Sequence, residues 1–278
     1  MTHRPSQKVS AERRQSNVFN EERSLAMEHI YPMKHKRKNI VYIINNFIFG
    51  HGERKGSVVD EESLTKTFTN LSFDVQSFQN KTRADMVNLL ENVSRDIHKD
   101  TDCFVCVILT HGEEDMVHGT DGPVEVTKLL APFKGDRCPA LAGKPKLFFI
   151  QACRGKQFDD GADALSVKND GPEDDEDEMD VKDETVTFRI PRNADFLVAY
   201  ASVRGFYAWR NEKDGSWFIQ ALCKVLEEHG QTLDLMTMLT RVNHTVAFDY
   251  SSKGKIKEKK QIPCITSMLT KDVFFRKT

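Results

Sequence analysis

The chain has 278 residues, with 40 Lys+Arg against 42 Asp+Glu and a formal net charge of −2. Hydrophobic residues make up 39% and charged residues 29%, an ordinary globular balance that excludes collagen, coiled coil and full disorder. No apolar run approaches the roughly 20 residues a bilayer span needs, so no membrane partner is expected.

Charge is unevenly spread. Residues 159–184 hold 13 Asp+Glu against Lys168 and Lys182, a net of −11, which leaves +9 on the rest. Such a run reads as a solvated, self-repelling loop. Met1–Asn39 carries 9 Lys+Arg and 4 Glu with no apolar stretch, so a secretory signal is absent. Six Cys without regular spacing argue for free thiols in a reducing compartment. That means cytoplasmic, with nuclear entry open.

In chain order, residues 1–38 lack helical or strand periodicity and read as a short, basic, disordered tail. Ile40–Ile44 is a buried strand by its β-branched run. Leu64, Phe68 and Leu71 mark one helix stripe, and Phe73–Phe78 alternates as a strand. Thr82-Arg-Ala-Asp85 is a capping box opening a helix with Met86, Leu89, Leu90, Val93 and Ile97 on one face. Phe104–Leu109 and Leu147–Ile150 are further buried strands. Beyond the acidic segment come a strand at Phe196–Ala201, helices around Trp217–Leu226 and Leu235–Val246, and a last strand at Cys264–Leu269. Apolar strands alternating with amphipathic helices mean an α/β fold: about six strands, mostly parallel, with helices on both faces. The acidic segment interrupts this alternation without ending it, which fits one domain carrying a long loop.

Ligands of open parallel sheets bind beyond the carboxyl ends of the strands. His111 follows Phe104–Leu109, and Cys153 follows Leu147–Ile150. If those strands are neighbours, thiol and imidazole share one rim, an arrangement that activates a sulfur nucleophile. The alternative from position alone is a buried Cys and a hydrogen-bonded His at two strand ends. Cys103-Phe-Val-Cys106 reads as core, since within a strand these two thiols point to opposite faces and zinc needs convergent ligands. His51 also follows a strand, but Arg54 beside it suggests a pocket loop. No metal and no cofactor are expected.

Gln151-Ala-Cys-Arg-Gly155 matches a caspase signature that expects a histidine upstream. Long motifs surround it: Ile108–Asp115 (ILTHGEED), Gly135–Pro139 (GDRCP), Gly143–Gly155 (GKPKLFFIQACRG), Ala194–Val203 (ADFLVAYASV), Trp209–Cys223 (WRNEKDGSWFIQALC) and Lys259–Lys271 (KKQIPCITSMLTK). From about Ile40 to Phe275 the chain resembles the caspases, cysteine proteases that cleave after Asp, and specifically the executioner type.

That resemblance implies a three-layer caspase fold, with a large-subunit part at 39–158, a cleavable linker at 159–187 and a small-subunit part at 188–278. It implies Cys153 as nucleophile, His111 as proton carrier, and the N–H groups of Gly112 and Cys153 as oxyanion hole. Arg54, Gln151 and Arg210 would line the S1 pocket, Tyr207 and Trp209 would wall S2, and Asn211 and Trp217 would shape S4. Cleavage after Asp170, Asp180 or both would activate a zymogen acting in apoptosis. The implied partners are protein substrates with Asp at P1, an upstream initiator caspase, inhibitor-of-apoptosis proteins and a second copy of the chain; no nucleic acid is implied. The first Asp in the chain is Asp60, so the tail offers a caspase no cleavage site. Ser57-Val58, Ala208 and a short basic loop at Phe248–Lys260 depart from the usual pattern, the last leaving P4 preference open. A non-catalytic relative acting as scaffold or decoy is the rival reading, opposed by the intact Cys153, His111, Gly112, Gln151, Arg54 and Arg210.

Overall fold

The structure, a computed structural model, describes residues 28–34, 36–50, 52–162, 191–253 and 258–276. Six strands form its central sheet: β1 (Ile40–Asn45), β2 (Asp74–Gln79), β3 (Phe104–Leu109), β4 (Lys146–Gln151), β5 (Phe196–Tyr200) and β6 (Cys264–Ser267). Their spatial order is β6-β5-β4-β3-β1-β2. Every neighbouring pair is parallel except β5 with β6, which is antiparallel.

Strands β3 and β4 lie at the centre and are buried along their whole length, which is why their sequences are nearly unbroken apolar runs. Alternate residues feed two cores. Val105, Val107, Leu109, Leu147 and Phe149 face α1 (Ser57–Asn70), α4 (Trp217–His229) and α5 (Leu235–Asp249). Phe104, Cys106, Ile108, Phe148 and Ile150 face α2 (Arg83–Asp96) and α3 (Val126–Leu130). Cys103 belongs to the first core and Cys106 to the second, and burial pushes both thiols up. The α2 capping box forms as its sequence requires. Asp85 N–H donates to the Thr82 hydroxyl at 3.1 Å, and Thr82 N–H returns to the Asp85 carboxylate at 3.3 Å.

Two features depart from the expectation. Packing begins before residue 39: Tyr31 and Met33 are each 1% exposed. Tyr31 N–H donates to Asp272 O at 3.0 Å, and its hydroxyl donates to Asp195 Oδ1 at 2.7 Å. Two apolar residues in a basic stretch are too few to register as periodicity, yet two buried side chains suffice to anchor an extended segment. The second is a small antiparallel sheet of Gly112–Glu113, Met116–Gly119 and Gly122–Glu125, whose strands are too short and polar to read as such.

Candidate active site

Strands β3 and β4 are direct parallel neighbours, with Leu109 opposite Gln151. Thr110 N–H donates to Gln151 O at 3.1 Å, which carries the pairing one residue past β3. His111 and Cys153 each stand two residues beyond the paired ends, so both emerge from one rim. The turn after His111 is fixed from both sides. Thr110 Oγ1 donates to His118 O at 2.6 Å, and His118 N–H donates to His111 O at 2.9 Å. The His111 ring meets Phe49 edge-on at 4.7 Å.

Gly112 is held where no side chain fits: an added Cβ would lie 2.8 Å from Cys153 O and 2.7 Å from Met116 O. Past Cys153 the chain pairs with residues 205–207. Arg154 N–H donates to Phe206 O at 3.0 Å, Gly205 N–H to Arg154 O at 2.8 Å and Tyr207 N–H to Gln157 O at 2.9 Å. Here the last glycine of the signature has its reason, since a Cβ on Gly155 would sit 2.1 Å from Gly205 O.

The Cys153 sulfur lies 3.9 Å from Ala208 O. Burial pushes its thiol up, and the Ala208 backbone and the Arg54 and Arg210 guanidiniums pull the other way without prevailing. The net direction is upward from the ordinary cysteine value, opposite to the lowering that a neighbouring imidazolium produces.

Arg54 is 2% exposed. Its Nη1 donates to Ser57 Oγ at 2.6 Å and its Nη2 lies 3.5 Å from Gln151 O, while its Nε and Gln151 Oε1 are buried without a hydrogen-bond partner. Arg210 comes from a short hairpin, Arg210–Asn211 paired with Gly215–Ser216, and its Nε donates to Lys55 O at 2.6 Å. Burial and the neighbouring Arg210 charge pull Arg54 down to about 9, and burial pulls Arg210 down as well. Among the described residues neither guanidinium has a carboxylate within ion-pair distance. Two desolvated cations with unspent donors suit a carboxylate brought from outside.

Beside them runs an aromatic wall. Tyr207 meets Trp209 edge-on at 5.2 Å, Trp209 stacks on Trp217 at 5.5 Å, and Trp217 stacks on Tyr250 at 5.4 Å. Phe158 covers Tyr207 and Trp209 at 5.6 and 5.5 Å. Buried Gln261 ties the wall to the sheet, accepting from Trp209 N–H at 2.6 Å and donating to Ala201 O at 2.7 Å. The Asn211 carboxamide oxygen is spent on its own turn, accepting from Lys213 and Asp214 N–H at 2.8 and 3.3 Å. Sequence reasoning missed Phe158, Tyr250 and Gln261; Phe158 and Tyr250 had only aromatic character in a loop as a signal, and Gln261 only its place in a motif.

Asp170 and Asp180 lie outside the described residues, as does His51. The first residues of the acidic segment are described. Lys260 N–H donates to Asp159 O at 2.9 Å, and the Lys259 ammonium pairs with the Asp160 carboxylate. Among the described residues no helix is long and apolar enough to cross a membrane.

A family model described as "Caspase domain" matches residues 38–274. The chain is 44% identical over 271 residues to caspase-7 of Gallus gallus, covering 95% of this chain and 85% of the relative. It is 45% identical over 256 residues to caspase-3 of Felis catus, covering 90% and 88%. Among solved structures it resembles caspase-1 from Spodoptera frugiperda at 37% identity with a TM-score of 0.80, covering 90% of this chain and 94% of the other. Sheet order, rim and relatives agree: the chain belongs to the caspases and is a cysteine endopeptidase of their effector, or executioner, group.

Proposed function

We propose that this effector caspase performs its chemistry with Cys153 and His111 on the rim shared by β3 and β4. As a caspase it acts on protein substrates after Asp, in a family whose members dimerise, are made as zymogens and work in apoptosis. The observation that carries the assignment is the direct pairing of β3 with β4, Leu109 opposite Gln151, beside the buried Arg54 and Arg210.

The S1 pocket is Arg54, Gln151 and Arg210, and it takes the P1 carboxylate. Losing that carboxylate leaves buried guanidinium donors unpaired, which is how a charged pocket rejects Asn or Gln more sharply than an apolar pocket rejects a misfit. Tyr207 and Trp209 wall S2, and Asn211 and Trp217 border S4. The thiol gives its proton to the His111 imidazole as sulfur attacks the P1 carbonyl carbon. The resulting oxyanion takes hydrogen bonds from the N–H groups of Gly112 and Cys153. Collapse breaks the C–N bond, the imidazolium proton goes to the leaving amine, and a thioester to Cys153 remains. Water, deprotonated by the imidazole, attacks that thioester and restores the thiol.

Residues 39–158 form the large-subunit part and 188–278 the small, joined by the 159–187 linker. An upstream initiator caspase cuts this linker after Asp170, Asp180 or both. The dimer forms through the free edge of β6, in the cytoplasm, and inhibitor-of-apoptosis proteins bind the cleaved enzyme. The assignment is tested by treating the linker-cleaved protein with an Asp-ending peptide fluoromethyl ketone and mapping the adduct. A thioether on Cys153 is expected, suppressed in Arg54→Ala; labelling of another cysteine, or none, contradicts it and favours a scaffold or decoy.

A further inference from the structure

The first turn of α1 carries a carboxylate that the chemistry above does not use. Asp60 is fully buried. It accepts three hydrogen bonds from the neighbouring 216–220 stretch: Ser216 N–H at 2.7 Å, the Ser216 hydroxyl, and Gln220 Nε2 at 3.0 Å. A buried charge is tolerated only when so satisfied, and truncating it leaves its donors unpaired. Ser216 is the strand partner of Arg210 in the 210–216 hairpin. Three contacts therefore fasten that hairpin to one short stretch of chain: Arg210 Nε to Lys55 O at 2.6 Å, Asn211 O packed on Gly56, and Ser216 on Asp60. The fit is tight: a Cβ on Gly215 would lie 2.4 Å from Asp60 Oδ1, and one on Gly56 would lie 2.3 Å from Asn211 O. Arg54 ends at the same turn, its Nη1 on Ser57 Oγ.

We propose that Asp60 is a positioning residue for P1 recognition: through Ser216 it locks the 210–216 hairpin onto α1 and so sets Arg210 against Arg54. Burial raises the Asp60 carboxyl above its ordinary value, with the Ser216 and Gln220 hydrogen bonds and Arg54 opposing without prevailing. The inference rests on the assignment of Arg54 and Arg210 to the P1 carboxylate.

The experiment uses linker-cleaved enzyme and fluorogenic peptides ending in Asp or Glu, with Asp60→Asn, Asp60→Ala, Ser216→Ala, Arg210→Ala and Asp85→Asn. Asp85→Asn is the structural control, a helix-cap carboxylate bonded only to Thr82. A lost buried hydrogen bond to a charged group translates into roughly tenfold in an equilibrium constant. Asp60→Ala should raise KM for the Asp peptide about tenfold and Asp60→Asn about threefold, with kcat within about twofold, because Cys153 and His111 sit on other loops. Ser216→Ala should move KM in the same direction and narrow the Asp-over-Glu preference, whereas Asp85→Asn should lower Tm and leave KM unchanged. Wild-type KM and P1 preference in both Asp60→Asn and Ser216→Ala, with Arg210→Ala impaired, overturns the role of Asp60 alone. An unimpaired Arg210→Ala overturns the S1 assignment beneath it. If Asp60→Ala does not fold, Asp60→Asn and Ser216→Ala decide the question.

Discussion

At Cys153 two influences oppose each other. Burial holds the proton on sulfur, and the Arg54 and Arg210 cations favour its loss. Burial prevails in this state, so the uncleaved protein should react slowly with iodoacetamide at neutral pH. The rate should climb only above the ordinary thiol value of about 8.5; a midpoint below neutrality, read by mass spectrometry of the Cys153 peptide, would contradict this. His111 and Cys153 stood out in the sequence because each follows an apolar run read as a strand, but position alone left a buried Cys and a hydrogen-bonded His as the alternative, and the Gln151–Gly155 signature is what favoured catalysis. The pocket was not legible without a family to compare. Arg54, Gln151 and Arg210 come from three distant segments, and only Gln151 belongs to a strand whose position the periodicity fixed. Phe158 and Tyr250 could not be found at all, since what an aromatic side chain in a loop covers depends on where the loop lies.

Among the elements, the strands and long helices followed their patterns closely, and the reason is burial. Residues Phe104–Leu109 are buried on both faces, so nothing polar interrupts them, and their bounds read off the sequence to the residue. The 112–125 sheet and the 210–216 hairpin left no comparable trace, because strands of two to four residues held by turns and close backbone approach need no apolar alternation. Their signal is in the glycines. Gly155→Ala forces a Cβ to 2.1 Å from Gly205 O and should cost about 1–3 kcal/mol, as overpacking does, seen as a lowered Tm with the signature loop displaced. The α2 cap offers a milder test: Thr82→Ala should cost about 1 kcal/mol by thermal unfolding without changing turnover.

At the scale of the whole molecule, the N-terminal strap is the part that composition described least well. Tyr31 joins the N-terminal segment to Asp195 and Thr270, at the end of the sheet that carries β5 and β6. Burial pushes its hydroxyl up to about 12 from 10.0. The neutral phenol is thus the form the fold prefers, so its contribution is complete below pH 10 and is lost as pH rises toward 12. Tyr31→Phe should abolish that alkaline loss and lower stability near neutrality by about 1–3 kcal/mol, the cost of leaving Asp195 short of a donor. For the linker, a chain with both Asp170→Ala and Asp180→Ala should stay uncut when an initiator caspase is added and remain weakly active. Normal processing on a denaturing gel would show that the cut lies elsewhere.

The measurement that bears most directly on the whole account is kcat/KM of linker-cleaved enzyme for three matched peptides differing only in P1: Asp, Glu and Asn. The geometry of Arg54 and Arg210 requires Asp to lead Asn by about 10³-fold or more, since a buried charged site left unpaired forfeits several kcal/mol, and Cys153→Ala to abolish turnover of all three. Comparable rates for Asp and Asn, or activity surviving the loss of Cys153, would contradict it.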